Sequence, residues 1–121
     1  MAVSATYRAF ILEQLARVLQ DVRARSMFGG VGVYSSELFF ALLDNDTLYF
    51  KVDDETRIEY EFRQMGPFRP FGDGGEVMQY YEVPADVIED LDALRSWGDR
   101  ALGVARRAKR RKPLRAKVSP K

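Results

Sequence analysis

A two-layer α+β domain is the fold this 121-residue chain predicts. Three features predict it: an amphipathic helical pattern at the start, alternating β-branched and aromatic segments in the middle, and a second helical pattern around Trp97. The expected order is α-βββ-α-ββ-α. A five-stranded antiparallel sheet should carry the helices on one face, since an apolar helical stripe must be buried against another layer. The length suits one domain, placed at residues 1–107, with 108–121 as a disordered basic tail.

The first helix is expected from about Ser4 to Arg25. Ile11, Leu15, Val18, Leu19 and Val22 recur at three- and four-residue steps, while Glu13, Arg17, Asp21 and Arg25 stand four apart with alternating sign. Ser4 or Thr6 suits its N-cap, and Gly29-Gly30 ends the pattern. Three strands follow as a meander, Val31–Tyr34, Glu37–Leu43 and Thr47–Val52, separated by the turn formers Ser35-Ser36 and Asp44-Asn45-Asp46. The middle strand is apolar on both faces, which places it centrally.

Asp53-Asp54-Glu55 opens a short helix to about Gln64, stopped by Gly66-Pro67. Pro67–Phe71 is at most an edge strand, because proline cannot donate to a ladder. After the turn Gly72–Gly75, Glu76–Val83 reads as the fifth strand. Asp90 is a second candidate cap, starting a helix that runs through Trp97 to about Arg107. Leu94, Trp97, Ala101, Val104 and Ala105 form its inward stripe, and close packing accounts for Gly98 and Gly103 within it. Tyr49, Met78 and Tyr80 then fall on the sheet face that the helices leave uncovered. An apolar sheet face marks a partner surface, and a homodimer is the simplest partner.

Composition closes several routes to catalysis. With neither cysteine nor histidine, there can be no disulfide framework, thiol nucleophile, or triad or metal site that needs imidazole or thiolate. The net charge of +1 conceals a division. Residues 1–105 carry ten Lys or Arg against eighteen Asp or Glu, whereas residues 106–121 carry nine Lys or Arg and no acid. An acidic body therefore bears a basic segment, a hint of an interaction arm. The longest uncharged apolar run, Leu38–Leu43, is far too short to span a bilayer. No export signal is visible, so the expected location is cytoplasmic, with no membrane partner.

Other constellations read as structure. Phe28-Gly29-Gly30-Val31-Gly32 precedes a strand instead of opening a helix, and it lacks the dinucleotide spacing. Its glycines serve positive φ or close approach of backbone to the first helix. Asp44-Asn45-Asp46 and Asp53-Asp54-Glu55 are explained by turn and cap chemistry, so no metal or other cofactor is expected. The many tyrosines and phenylalanines suggest stacking platforms for single strands, but such platforms lie in basic grooves. In a net acidic body, core and interface packing is the preferred reading. Arg106, Arg107, Lys109, Arg110, Arg111, Lys112, Arg115 and Lys117 are candidate nucleic-acid contacts that neutralise phosphates without reading sequence. The alternatives for this segment are a solvated tail or an arm folded back on the acidic body.

Met27-Phe28-Gly29-Gly30-Val31-Gly32-Val33-Tyr34 after an amphipathic helix resembles the TfoX (Sxy) N-terminal domain of bacterial competence regulators. Leu48-Tyr49-Phe50-Lys51, Pro67-Phe68, Met78–Pro84 and the Trp97 helix continue the likeness over residues 7–107. The resemblance implies a compact α+β domain, often dimeric, with no known enzymatic activity. Two-domain members promote DNA-uptake competence with a transcription activator, and this chain is read as a single-domain member with a basic segment in place of the second domain. The expected function is non-enzymatic: an accessory regulator that contacts a transcription activator through its body, with nonspecific DNA affinity from its tail. The alternative is a small dimeric nucleic-acid-binding module whose tail does all the binding. An enzyme or small-molecule binder ranks third.

Overall fold

The computed structural model describes residues 3–27, 29–70 and 79–118, those from 111 onward as backbone alone. The sequence up to the first glycines divides into two elements, α1 (Ala5–Val18) and β1 (Val22–Met27). Ser4 caps α1 as expected, its Oγ accepting from the Tyr7 N–H at 3.1 Å. The helix is shorter than its periodicity predicts, and Gly29-Gly30 does not end it. The chain turns at Leu19, which is extended, and at Asp21, whose φ is +50°. Ser35 Oγ donates to the Gln20 carbonyl at 2.6 Å and the Ser36 N–H to that of Asp21 at 3.0 Å, anchoring the bend. Beyond it the side-chain period becomes two, with Val22 and Ala24 packed on the core and Arg23 and Arg25 exposed.

Next come β2 (Gly30–Ser35), β3 (Leu38–Asp44), β4 (Thr47–Lys51), α2 (Arg57–Phe62), β5 (Tyr80–Glu82), α3 (Ala85–Glu89) and α4 (Leu91–Val118). The antiparallel sheet has the order β1-β2-β3-β4-β5. Five strands and an α+β architecture match the expectation, but the membership differs. The strand gained is β1. Of the predicted edge strand Pro67–Phe71, the described residues 67–70 contribute only an isolated bridge between Pro67 and Tyr81, as suits a segment with prolines at both 67 and 70, and Phe71 lies outside the described residues. The fifth strand is Tyr80–Glu82, shorter at both ends than expected: Gln79 and Val83 are not part of it, and Glu76, Val77 and Met78 lie outside the described residues. Between β3 and β4, Asn45 and Asp46 both have φ +51°, the left-handed pair that a two-residue hairpin turn requires.

A bulge explains the doubly apolar middle strand. Val33 pairs with Ala41 but Tyr34 with Phe39, so Phe40 is the extra residue. Phe40, Ala41 and Leu43 all enter the core, while Phe39 and Leu42 take the opposite side. The core lies between the sheet's Val33, Phe40, Leu43, Leu48 and Phe50 and the helices' Ile11, Leu15, Leu94 and Trp97, all nearly or fully buried. Asp90 caps α4 through the N–H groups of Asp92 and Ala93. At Gly98 an added Cβ would stand 3.2 Å from Leu19 Cδ1, which is the close packing expected. Gly103 meets only the Arg107 guanidinium, at 3.6 Å, so packing does not account for it.

Of the two roles expected for Gly29, Gly30 and Gly32, positive φ is found at Gly29, whereas the close approach is to sheet neighbours and not to the first helix. Gly29 has φ +79°. A Cβ on Gly30 would lie 2.5 Å from the Leu43 carbonyl oxygen, and one on Gly32 would lie 2.7 Å from Met27 Cε. Finally, α4 runs to Val118, beyond the helix end expected near Arg107. Ala108, Lys109, Arg110, Arg111 and Lys112 are all good helix formers and continue it.

Candidate interaction surfaces

Strand alternation sorts the sheet into two chemically different faces. Away from the helices project Arg23, Arg25 and Met27 from β1, Tyr34 from β2, Phe39 and Leu42 from β3, Tyr49 and Lys51 from β4, and Tyr80 and Glu82 from β5. Tyr34 stacks on Phe39 with centroids 5.0 Å apart and rings inclined by 22°. Phe39 meets Tyr80 at 5.8 Å, and Tyr49 meets Phe68 at 5.0 Å. Lys51 Nζ sits 5.0 Å from the centre of the Tyr80 ring. Between these side chains lies an apolar groove of about 280 Å³, lined by Met27, Phe39, Leu42, Phe68 and Tyr80, with Asp44 and Lys51 as its charged members.

Two of the three predicted interface residues can therefore be placed. Tyr49 and Tyr80 are on the helix-free face, but they are not equivalent. Tyr80 is only 4% exposed, and burial holds its hydroxyl well above the usual tyrosine range. It supports the face from beneath. Tyr49 is half-buried; burial and then the charge of Glu82 raise its hydroxyl pKa. A second groove, also about 280 Å³, opens between α1, the β3–β4 hairpin and α3, with Leu48, Val83 and Ile88 beneath the acids Asp46, Glu82 and Glu89. Burial, then Asp46 and Glu82, push the Tyr7 hydroxyl on its wall up to about 12.

The basic segment is partly engaged by the body. Arg107 Nη2 donates to Asp53 Oδ2 at 2.8 Å, and Lys109 Nζ to Glu37 Oε1 at 2.8 Å. Burial alone would raise the Asp53 carboxyl, but N–H and hydroxyl donors from Thr56 and the Arg107 guanidinium outweigh it and hold the pKa down to about 2. Lys109 likewise lowers that of Glu37, chiefly by its hydrogen bond. Arg106 and Arg110 are exposed. The side chains of Arg111, Lys112, Arg115 and Lys117 lie outside the described residues.

Sequence reasoning missed two features. The helical period of the first segment takes in Arg23 and Arg25 and hides their place on an aromatic sheet face; the alternation Val22-Arg23-Ala24-Arg25 is the signal that points to it. On α2, Ile58 is 61% exposed and Phe62 85% exposed, while Tyr60 between them is buried against Trp97 at a 4.7 Å ring separation. These two lie one turn apart on the outer side of the helix, and no pattern in so short a segment distinguishes its inner from its outer side.

Among the described residues, no group of three or more Asp or Glu is arranged to hold a metal ion. Their buried side-chain nitrogen and oxygen atoms all have hydrogen-bond partners. No described helix is long and apolar enough to cross a membrane.

No curated protein matches the chain. The family model for the TfoX N-terminal domain matches residues 13–105, from the middle of α1 to the buried part of α4, and so spans the whole sheet and both of its faces. The chain belongs to the TfoX N-terminal domain family.

Proposed function

We propose that this protein is a non-enzymatic, cytoplasmic accessory regulator of transcription. Its folded body contacts a protein partner, a transcription activator or a second copy, and its basic C-terminal segment adds sequence-independent affinity for duplex DNA. The observation that carries the reading is the pair Ile58 and Phe62. Scattered apolar residues on a surface are ordinary, but two large ones adjacent on one helix and each more than half exposed serve no purpose in the body's own core. Protein contact gives them one. Family membership supports the regulatory side of the reading. The cationic density of residues 106–121 supports the DNA side, with Arg106 and Arg110 as the described cations free of the body's acids.

The test replaces both α2 residues in the full chain, I58S/F62S, and measures transcript levels in the source cells beside duplex affinity in vitro. Because both side chains are exposed, stability should stay within about 0.5 kcal/mol of the wild type. Loss of regulated transcripts with unchanged DNA affinity is the expected result. Unchanged transcripts would refute α2 as the contact.

A further inference from the structure

We infer that the β1–β3 half of the helix-free sheet face is a binding platform for single-stranded nucleic acid, with Tyr34 and Phe39 stacking bases and Arg23 and Arg25 holding phosphates. This site is separate from the duplex contact proposed for the C-terminal segment and from the α2 pair.

Tyr34 and Phe39 are directly opposed on adjacent interior strands, β2 and β3. Their rings are stacked and only half-buried, so ring surface remains open on the side without helices. Bases released from a duplex stack on such side chains whatever their identity, because every base has a π-face. Gly32 leaves the space in front of its own backbone to Met27 and Phe39, whose side chains would collide with a Cβ there. The Phe39 ring is thus placed by what β2 lacks. Beside it the apolar groove of about 280 Å³ has room for one planar ring between Phe39, Phe68 and Tyr80.

Charge supplies the second half of the argument. A net acidic body speaks against a stacking platform only if the acids stand near it. Neither β1 nor β2 contains an acidic residue, and on β3 the sole acid is Asp44 at the far end. Arg23 pairs across the ladder with Tyr34, and Arg25 with Gly32. Both are exposed on the same face, about 7 Å apart along the strand. Arg23 is held at the β2–β3 turn by the Ser36 carbonyl and lies 3.8 Å from Asp21, with 60% of its side chain in solvent. Ten of the body's eighteen acids fall at 53–61 and 86–99, outside these strands. Near the Tyr34–Phe39 pair Arg23 is flanked by Asp21 and Glu37, so Arg25, exposed on β1, is the cation best placed to meet a phosphate. Arginines beside stacked aromatics on an open sheet complement a phosphate-linked row of bases. A protein surface would be served as well by the aromatics but has no need of the arginines.

The experiment uses the full chain and a full-chain variant with Arg110, Arg111, Lys112, Arg115 and Lys117 changed to Gln. Fluorescein-labelled twelve-nucleotide dT and U probes, and a twelve-base-pair duplex, are titrated by anisotropy at several salt concentrations. The expected result is a preference for single strands that persists in the Gln variant. It should fall at least about fivefold in Tyr34→Leu, the low end for one lost stack. In Arg25→Glu it should fall with a shallower salt dependence, by about 0.7 in slope per lost phosphate contact. Arg25 is exposed on an edge strand, so its variant stays folded if the leucine one does not. Comparison of dT with U then tells DNA from RNA. Equal affinity for duplex and single strand, or a preference unmoved by either substitution, overturns the proposal. So does a dimer that either substitution dissociates while no probe binds, since the face would then belong to a second copy.

Discussion

Replacing Gly30 by alanine should destabilise the domain far more than the same change at Gly32, although the two stand on one strand. At Gly30 the new Cβ would meet the Leu43 carbonyl oxygen at 2.5 Å, and real Cβ contacts essentially never fall below 3.0 Å. The obstacle is backbone, so β2 and β3 must separate by about 0.5 Å where Val31 faces Leu43 in the core. Overpacking costs about 1–3 kcal/mol, and weakening one ladder hydrogen bond adds about 1 kcal/mol. The expected loss is about 2–4 kcal/mol, against the ~5–15 kcal/mol that holds a typical domain together. At Gly32 the nearest atom, at 2.7 Å, is the terminal methyl of Met27, which can swing aside, so the loss should stay below about 1 kcal/mol. Urea unfolding followed by Trp97 fluorescence measures both. Trp97 is the chain's single tryptophan and is 6% exposed. The Gly30→Ala midpoint should fall by about 1–2 M and the thermal midpoint by about 8–15 °C. A Gly30→Ala midpoint indistinguishable from that of Gly32→Ala would refute the reasoning, because the β2–β3 contact would then be free to open.

Acid should weaken the domain through Asp53. Its carboxyl titrates near 2 in the fold, below the ordinary 3.8, so its contribution is complete above about pH 4 and disappears as pH falls towards 2. Allowing for the side chain's 32% exposure, that contribution is about 1 kcal/mol, and Asp53→Asn should flatten the stability curve in that window. Asp90→Ala removes the acceptor for two N–H groups at the start of α4 and should cost about 1 kcal/mol by the same urea assay. Trp97→Ala should cost about 3–5 kcal/mol, because the ring packs edge-on against Tyr60 and under the guanidinium groups of Arg63 and Arg100. Thermal unfolding followed by far-ultraviolet circular dichroism, which does not need the tryptophan, reads that loss.

Much of this fold was legible in the sequence where local chemistry and tertiary demand agree. Ser4 and Asp90 cap helices, Asn45-Asp46 turns a hairpin, and the stripe from Leu94 to Ala105 is buried as its spacing requires. The first helix was over-extended because Val22 continues the period of Ile11, Leu15 and Leu19, and four alternating charges agree with it. A helix could hold those residues, but pairing Val22–Met27 with Gly30–Ser35 extends the sheet and buries Ala24 beside the core. That non-local gain leaves no mark at short range. The candidate surfaces were less legible for the same reason. Tyr49 and Tyr80 fall on the predicted face, yet only the packed structure shows Tyr80 covered and Phe62 bare. Asp53 and Glu37 are separated from Arg107 and Lys109 by 54 and 72 residues, a pairing no local pattern announces.

The central claim is a division of labour, in which the body meets a protein and the C-terminal segment meets duplex DNA. The most direct measurement is the salt dependence of duplex affinity for the full chain beside the variant in which Arg110, Arg111, Lys112, Arg115 and Lys117 are Gln. Of the nine cations in residues 106–121, Arg107 and Lys109 are held by Asp53 and Glu37. The remaining seven allow a slope of log affinity against log salt of up to about −6. The account predicts a steep slope for the full chain and near-complete loss of duplex binding in the variant. Equal binding by the two proteins would contradict it and place the duplex contact on the folded body.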